Sequence, residues 1–277
     1  MAEKMAITLP ALRQMKRDAR KIVGVVAWDC QMARIADRAG AEIVSVGDSV
    51  GVNLWGHANP LEVTLAEMII VCKAARRGVT RALLSCDLPY GPLQLGSARA
   101  LSAAIRLVKE AGADLVKLDG AAQFPETVEA LVRAGIPVFA QFGITPQTAL
   151  HYGIPYAAAS GRAAQAPPEM TSRLVADAKR LQSAGASLLD FTNSGPTVGP
   201  AVVEAVAIPV LGGFGGGPWL DGRIRMAHAA IGYAAEGVDS PPDTYANVAR
   251  VALEALEQYA GDVRAGRQIK GGRPISS

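Results

Sequence analysis

Three acidic side chains each stand at the end of a short apolar run of the sequence, and they are Asp48, Asp87 and Asp119. Short runs that are apolar on both faces are typical of parallel strands covered by helices. In α/β folds, the side chains at the carboxyl ends of such strands meet at one edge, where catalytic and binding residues lie. We therefore expect the three carboxylates to lie together.

Three carboxylates in one pocket repel one another, and each loses hydration when it is buried. A divalent cation offsets both costs, and ligands made of oxygen alone select a hard ion such as Mg²⁺, with water and substrate completing an octahedron. The alternative for any single aspartate is a cap on the following helix or turn. Three aspartates at consecutive strand ends favour a metal site formed by Asp48, Asp87 and Asp119.

Other polar side chains occupy the same kind of position. Lys117 stands two residues before Asp119, so the two share one face of their strand, where Lys117 either neutralises the carboxylates or binds an anionic substrate. The remaining candidates at strand ends are Ser49, Gln141, Asp190 and Thr192. The glycine-rich segment 212–217 either receives an anionic group through its main-chain N–H groups or is a flexible connection.

The elements that must position these side chains alternate between strand-like and helical segments about eight times, without an interrupting linker. With a length of 277 residues, this pattern predicts an α/β fold, a single (β/α)8 TIM-type barrel. We expect an N-terminal helix over 8–19 and a long C-terminal helix over 244–260. The barrel domain is predicted to cover 1–262, followed by a polar, partly disordered tail over 263–277.

Local signals mark several element boundaries. Thr64-Leu65-Ala66-Glu67 is a capping box, and Ser97 is predicted to cap the following helix. Thr145-Pro146 is predicted to open another helix. The eighth strand is expected within 223–233, where the pattern fits strand and helix equally, and 153–168 is either a lid or a plain surface loop.

The composition excludes several classes of partner. The net charge is only +3, the basic residues are scattered and aromatics make up 5%, which argues against nucleic-acid binding. No apolar run approaches the ~18 residues that span a membrane, and the first residues lack a signal peptide's apolar core. The three cysteines lie far apart without CxxC spacing, which argues against disulfides or zinc and favours a reducing cytoplasm.

Several short motifs resemble, in order and spacing, those of the ketopantoate hydroxymethyltransferase family. They are Val46-Gly47-Asp48-Ser49-Val50-Gly51, Gly56-His57, Val63-Thr64, Ala75-Arg76-Arg77-Gly78, Asp87-Leu88-Pro89, Ala111-Gly112-Ala113 with Val116-Lys117, and Gly143-Ile144-Thr145-Pro146-Gln147. The resemblance covers roughly residues 22 to 222 and is looser beyond 147. It implies a (β/α)8 barrel of the phosphoenolpyruvate mutase/isocitrate lyase superfamily. It also implies an enzyme that binds an α-keto acid on Mg²⁺, enolises it and adds a one-carbon unit from 5,10-methylenetetrahydrofolate.

The same resemblance implies roles for individual residues. Asp48 and Asp87 match the family's metal carboxylates, and Asp119 stands where the family has a glutamate. Ser49 matches a residue that binds the carboxylate of the keto acid. Lys117 matches the family's active-site lysine.

Two positions depart from the family pattern. Gln141 stands where the family has a histidine, and Thr192 stands where it has a glutamate that acts as general base. Threonine does not act as a base near neutral pH without help. Asp190 lies two residues earlier on the same face of the strand and is the candidate replacement. The metal-binding half of the site is therefore kept, and the proton-transfer half is altered.

Three hypotheses follow from that division. The first is a divergent hydroxymethyltransferase of the type that converts 3-methyl-2-oxobutanoate to ketopantoate, with Asp190 or a water as base. The second is a metal-dependent lyase, aldolase or hydrolase acting on a related α-keto or 2-hydroxy acid. The third is a non-catalytic binding or scaffold protein, ranked last because Ser49 and Lys117 would then be idle. A homo-oligomer is expected, since superfamily members assemble and the helix over 244–260 carries an apolar stripe.

Overall fold

Eight parallel strands close into a barrel in the computed structural model, which describes residues 5–155, 165–239 and 243–272. The strands are β1 Ile22–Val26, β2 Ile43–Val46, β3 Leu83–Asp87, β4 Leu115–Leu118, β5 Val138–Gly143, β6 Leu188–Thr192, β7 Val210–Gly212 and β8 Gly222–Met226. Each strand pairs with the next in chain order. The predicted (β/α)8 architecture is confirmed, and the ambiguous region 223–233 resolves into β8 followed by a short helix.

Helix α1 Leu9–Arg17 precedes β1. The helices between the strands are α2 Cys30–Ala39, α3 Val50–Asn53, α4 Leu65–Arg76, α5 Ser97–Ala111, α6 Pro125–Arg133, α7 Thr171–Ser183 and α8 Val198–Ala205. Asp29 caps α2 through its carboxylate, and Gly40 ends that helix with a φ of 99°, a conformation that glycine adopts without strain. The predicted capping box of Thr64 and Glu67 begins α4. These local signals set where each helix starts and stops between two strands.

Helix α1 packs against the end of the barrel at which the strands begin. Leu12 and Met15 are buried in one cluster with the inward-facing residues of seven strands, which are Ile22, Ile43, Leu115, Phe139, Leu188, Leu211 and Ile224. A fully buried side chain of this size contributes about 1.5–3 kcal/mol, so α1 is part of the core. Since this end is filled with apolar side chains, the polar chemistry is confined to the opposite end.

Two boundary predictions were wrong. Ser97 is the first residue of α5 and does not cap it, because its hydroxyl instead pairs with Thr127 Oγ1 at 2.8 Å. No α-helix follows Thr145-Pro146 within the described residues up to 155. The Thr145 N–H is bound by Thr148 Oγ1 at 3.1 Å, and this hydroxyl contact stabilises a turn in place of a helix.

The chain divides into two compact units, 1–225 and 226–277, and the second unit carries α9 Ala227–Ile231 and α10 Val248–Arg264. The predicted C-terminal helix is confirmed as α10, which starts later than expected because Asn247 caps it by accepting from the Arg250 N–H. Within the described part of the chain, no helix is long and apolar enough to cross a membrane.

Part of the segment predicted as a lid or loop, 156–164, lies outside the described residues, as do 273–277 of the tail. The domain limits predicted at 1–262 and 263–277 stay predictions.

Candidate active site

The three aspartates lie at the carboxyl ends of β2, β3 and β4, three neighbouring strands of the barrel. The register pairs Asp87 with Lys117 across β3 and β4, and Asp119 follows two residues later on the same inward-facing side. Asp87 and Asp119 are buried, whereas Asp48 is half-buried. The strand order therefore brings together the three carboxylates that the sequence singled out.

Asp87 is the centre of the group. Its Oδ2 accepts the main-chain N–H of Asp48 at 3.4 Å and lies 3.3 Å from Lys117 Nζ. Its Oδ1 is fully buried and has no hydrogen-bond partner among the described residues. Such an atom normally lowers stability, because a buried acceptor without a donor loses its hydration and gains no hydrogen bond in return.

Lys117 lies between two carboxylates. Its Nζ is 3.3 Å from Asp87 Oδ2 and 3.4 Å from Asp190 Oδ2, and all three side chains are nearly buried. Burial acts to lower the pKa of Lys117, but the carboxylates of Asp87 and Asp190 outweigh it and raise the pKa above its ordinary value. Lys117 is therefore a fixed positive charge at the mouth of the barrel.

Gln147 connects Asp48 with Asp119. Its Nε2 donates to Asp48 Oδ2 at 3.3 Å, and its main-chain N–H donates to Asp119 Oδ2 at 3.3 Å. The other oxygen of Asp119, Oδ1, is buried without a partner among the described residues, like Asp87 Oδ1.

The electrostatics of the site favour a bound cation. Burial raises the pKa of Asp48 to about 8, and the nearby carboxylates of Asp87 and Asp119 add to the shift. Burial also raises the pKa of Asp119 to about 6, and it raises the pKa of Asp87 above its ordinary value. One Lys117 charge does not compensate three carboxylates, so the site holds either an extra proton or a cation at neutral pH.

The arrangement fits a magnesium ion that keeps part of its water. Asp87 Oδ1 and Asp119 Oδ1 are buried acceptors that a cation would satisfy. In the described ranges, no three acidic, histidine or cysteine side chains are close enough to enclose an ion by themselves. Mg²⁺ is usually held by one or two carboxylates, with water and substrate as its other ligands. The carboxylates present therefore fit a Mg²⁺ ion that keeps water ligands better than they fit an ion enclosed by protein side chains alone.

The alternative that each aspartate caps the next helix is not what the structure shows. Ser49 and Gly120 occupy the cap positions after Asp48 and Asp119, and no side chain caps either helix. Gly96, with a φ of 96°, precedes the helix that follows Asp87. The described hydrogen bonds of the three carboxylates instead come from the Asp48 main chain, from Lys117 and from Gln147 in the loop after β5.

Ser49 lies half-buried beside the aspartates. A Cβ atom at Gly47 would come within 2.9 Å of Ser49 Oγ, so a larger residue there would displace the Ser49 hydroxyl, whereas Asp87 Oδ2 at 3.6 Å would be in ordinary contact. Trp28, a buried residue after β1, donates from its indole Nε1 to the Gly47 carbonyl at 2.9 Å. Sequence analysis did not single out Trp28, because this contact depends on how β1 and β2 pack.

The opposite side of the mouth is built by β5 and β6. Gln141 Nε2 donates to Thr192 Oγ1 at 2.9 Å, and both side chains are buried. Asp190 is paired in register with Gln141, and its Oδ1 accepts the Gly213 N–H at 3.1 Å while its Oδ2 lies near Lys117. The glycine-rich segment 212–217 thus contributes an N–H group to Asp190.

The sequence reasoning missed a role for two residues of the site. Gln147 was noticed only as part of a motif, although a polar residue shortly after a strand end was a usable signal. Asn193 has a φ of 57° and donates from Nδ2 to the Ile144 carbonyl at 2.9 Å, which ties the loop after β6 to the loop after β5. An asparagine after the two polar residues of β6 is a weak signal for such a conformation.

A parallel (β/α)8 barrel whose mouth carries three carboxylates and a lysine belongs to a recognisable class of fold. The chain is similar to a putative lyase/mutase from Burkholderia cenocepacia, with a TM-score of 0.59 at 18% identity over 95% of this chain and 92% of the other. It is also similar to 2,3-dimethylmalate lyase, a PEP mutase/isocitrate lyase superfamily member, with a TM-score of 0.57 at 15% identity over 98% and 100% of the chains. A third similar structure is a phosphonopyruvate hydrolase in complex with oxalate and Mg²⁺, with a TM-score of 0.58 at 14% identity over 94% and 88%. The fold is that of the PEP mutase/isocitrate lyase superfamily.

Comparison of the amino-acid sequence identifies the family within this class of fold. The family model of ketopantoate hydroxymethyltransferase matches residues 6–268. The 3-methyl-2-oxobutanoate hydroxymethyltransferase of Cyanothece sp. is 37% identical over 94% of this chain and 97% of its own length. The enzyme of the same name from Moorella thermoacetica is 36% identical over 96% and 97%. The chain belongs to the ketopantoate hydroxymethyltransferase family.

Proposed function

We propose that this protein is a Mg²⁺-dependent enzyme that enolises an α-keto acid and forms a carbon–carbon bond at its C3. The reaction is the conversion of 3-methyl-2-oxobutanoate to ketopantoate, with 5,10-methylenetetrahydrofolate as the one-carbon donor. The observation that carries the proposal is the pair of buried, unpartnered oxygens, Asp87 Oδ1 and Asp119 Oδ1, in a mouth that also contains Asp48 and Lys117. Family membership supports the choice of substrate.

Asp48, Asp87 and Asp119 would line the metal site. One or two of them would bind the ion directly and the rest through water, since the three do not enclose an ion by themselves. When bound, Mg²⁺ would polarise the ketone of the substrate and so acidify the C–H bond at C3. Ser49 Oγ, which lies beside Gly47 at the end of β2, would donate a hydrogen bond to the substrate carboxylate. Lys117, which stays protonated, would stabilise the negative charge that develops on the enolate oxygen.

Asp190 would act as the general base. Its carboxylate is held in place by the Gly213 N–H and by Lys117, and it is buried on the side of the barrel opposite Asp48. Asp190 accepts the C3 proton. Water releases the one-carbon unit of the folate as formaldehyde, with both C–N bonds broken and the two water protons passing to the two tetrahydrofolate nitrogens. The electron pair left at C3 forms the new bond to the formaldehyde carbon, and the proton held by Asp190 passes to its oxygen, which becomes the new hydroxyl group.

Gln141 and Thr192 would contact the substrate without taking up protons. The Thr192 hydroxyl is a neutral donor, and Oε1 of the Gln141 amide is a neutral acceptor. The pair therefore forms part of the pocket wall, and Asp190 takes up the proton.

The test is product formation. The protein is incubated with 3-methyl-2-oxobutanoate, 5,10-methylenetetrahydrofolate and Mg²⁺, and ketopantoate is measured by mass spectrometry. We expect turnover that is lost on chelation and in Asp48→Asn, and kept in Asp18→Asn, a matched change at an exposed aspartate of the N-terminal region. Absence of folate-dependent product at any Mg²⁺ concentration refutes the proposed reaction.

A second candidate function is favoured by the neutral Gln141–Thr192 pair. A metal-dependent lyase, aldolase or hydrolase on a related α-keto or 2-hydroxy acid would need the same carboxylates but a different group at this side of the mouth. Cleavage of 2-oxo-4-hydroxy acids by the Mg²⁺-loaded protein would identify it. Such cleavage without ketopantoate formation would replace the first proposal with this one.

We also expect a homo-oligomer in the cytoplasm. Helix α10 exposes Val251, Leu256 and Tyr259 by 64%, 64% and 54%, which supports contact with a second copy. All three cysteines are free thiols, which supports a reducing compartment. Light scattering of the purified protein tests the oligomer, and a monomer at micromolar concentration contradicts it.

A further inference from the structure

Gln147 reaches two carboxylates that come from different strands. Its side-chain Nε2 donates to Asp48 Oδ2 at 3.3 Å, and its main-chain N–H donates to Asp119 Oδ2 at 3.3 Å. Asp48 and Gln147 are 99 positions apart in the sequence. One residue of the loop after β5 therefore joins the loop after β2 to the loop after β4.

The loop that carries Gln147 is fixed at both ends of the turn. The Thr148 N–H donates to the Thr145 carbonyl at 3.1 Å, and the Thr145 N–H donates to Thr148 Oγ1 at 3.1 Å. Thr145 is fully buried, and Asn193 Nδ2 donates to the preceding Ile144 carbonyl at 2.9 Å. Gln147 thus extends from a rigid base, which a positioning role requires.

We propose that Gln147 is a positioning residue that orients Asp48 and Asp119 so that their free oxygens converge on one divalent cation. The inference rests on the proposed function, because the cation is the Mg²⁺ of that reaction. Gln147 occupies Oδ2 of both carboxylates, and in Asp119 this leaves the buried Oδ1 as the atom available to a metal. Hydrogen bonds of this kind restrict the rotation of metal-binding carboxylates and raise metal affinity.

The amide suits this role because it is neutral. A lysine or arginine at position 147 would also hold Asp48, but its charge would repel the cation and add to the charge of Lys117. An amide donates to the carboxylate without that repulsion. The main-chain half of the contact, to Asp119, is independent of the side chain, so a substitution at position 147 tests the contact with Asp48 alone.

The experiment measures Mg²⁺ and Mn²⁺ binding by calorimetry on the full-length protein. Gln147→Met keeps the length of the side chain and removes the amide, whereas Gln147→Asn keeps the amide but is one methylene too short to reach Asp48. We expect both variants to bind Mg²⁺ about 10–100-fold more weakly than the wild type. Gln31→Met, at an exposed position of α2, is the matched control and should bind as the wild type does.

A merely structural role predicts a different result. It would lower the thermal midpoint of the metal-free variants and leave the metal affinity of the folded protein unchanged. If either variant folds, as shown by circular dichroism, and binds Mg²⁺ as tightly as the wild type, the positioning role is refuted. If the wild type itself binds no divalent cation, the metal site of the proposed function fails as well. If the wild type binds Mg²⁺ and forms ketopantoate but the variants bind equally well, only the positioning role fails.

Discussion

Gln141 Nε2 donates a 2.9 Å hydrogen bond to Thr192 Oγ1 inside the mouth of the barrel, so the two positions that the sequence analysis expects to differ from the family are partners. Neither side chain gains or loses a proton near neutral pH. The titratable carboxylate closest in register is Asp190, which pairs with Gln141 across β5 and β6 and lies 3.4 Å from Lys117. Because this pair takes up no proton, the proposed acid–base group on this side of the site is Asp190 or water.

Thr192→Val tests whether this pair is structural or acts as the base. Valine has nearly the same shape but leaves the buried Gln141 amide without its acceptor. We expect the free energy of unfolding to fall by about 1–3 kcal/mol, measured by urea denaturation. Deuterium exchange at C3 of the substrate should stay within about threefold of the wild type, because the proton does not pass through Thr192. A folded variant that has lost exchange would show that Thr192 takes part in proton transfer.

Asp190→Asn tests the assigned base. The amide keeps the size of the side chain and its contact with Gly213 but cannot accept the C3 proton. Deuterium exchange at C3, followed by NMR, should slow by about 10²–10⁴-fold, the usual contribution of a general base. Mg²⁺ affinity should be retained, since Asp190 is not one of the proposed ligands. Full activity of this variant would assign the proton to water or to another group.

Lys117→Met tests the charge balance between Asp87 and Asp190. Removing the cation leaves two nearly buried carboxylates without their partner, at distances that were 3.3 Å and 3.4 Å in the native protein. We expect a loss of about 3–5 kcal/mol in the free energy of unfolding of the metal-free protein. Added Mg²⁺ should recover part of this loss. A variant as stable as the wild type would mean that neither ion pair contributes to folding.

The pH dependence of stability follows from the raised pKa values of Asp48 and Asp119. In the unfolded chain an aspartate loses its proton near pH 4, whereas folded Asp119 and Asp48 keep theirs until about 6 and about 8. Between those limits the folded state binds more protons than the unfolded chain does, so the stability of the metal-free protein should decrease as the pH rises from about 4 to 8. Thermal midpoints measured in EDTA across this range check the slope. Saturating Mg²⁺ should flatten or reverse this slope. A thermal midpoint that increases with pH in the presence of EDTA would contradict the raised pKa values.

Much of the metal half of the site was predictable from the sequence, because strand ends in a parallel barrel always meet at one mouth. Asp48, Asp87 and Asp119 needed only the strand pattern to be brought together. The helix starts predicted at Ser97 and Thr145 were wrong because their hydroxyls form hydrogen bonds with groups that tertiary packing and local turn geometry bring close. The hydrogen bonds of Gln141 with Thr192 and of Gln147 with Asp48 could not be predicted from the sequence, because both depend on side-chain directions that strand register and loop packing determine.

The central claim, enolisation assisted by Mg²⁺ at Asp48, Asp87 and Asp119, is tested most directly by deuterium exchange at C3 of 3-methyl-2-oxobutanoate in D₂O, without any folate. The account predicts exchange by the wild type with Mg²⁺, its loss in EDTA and in Asp48→Asn, and its retention in Asp18→Asn. No exchange by the folded, Mg²⁺-bound wild type, or equal exchange with and without the metal, would contradict it.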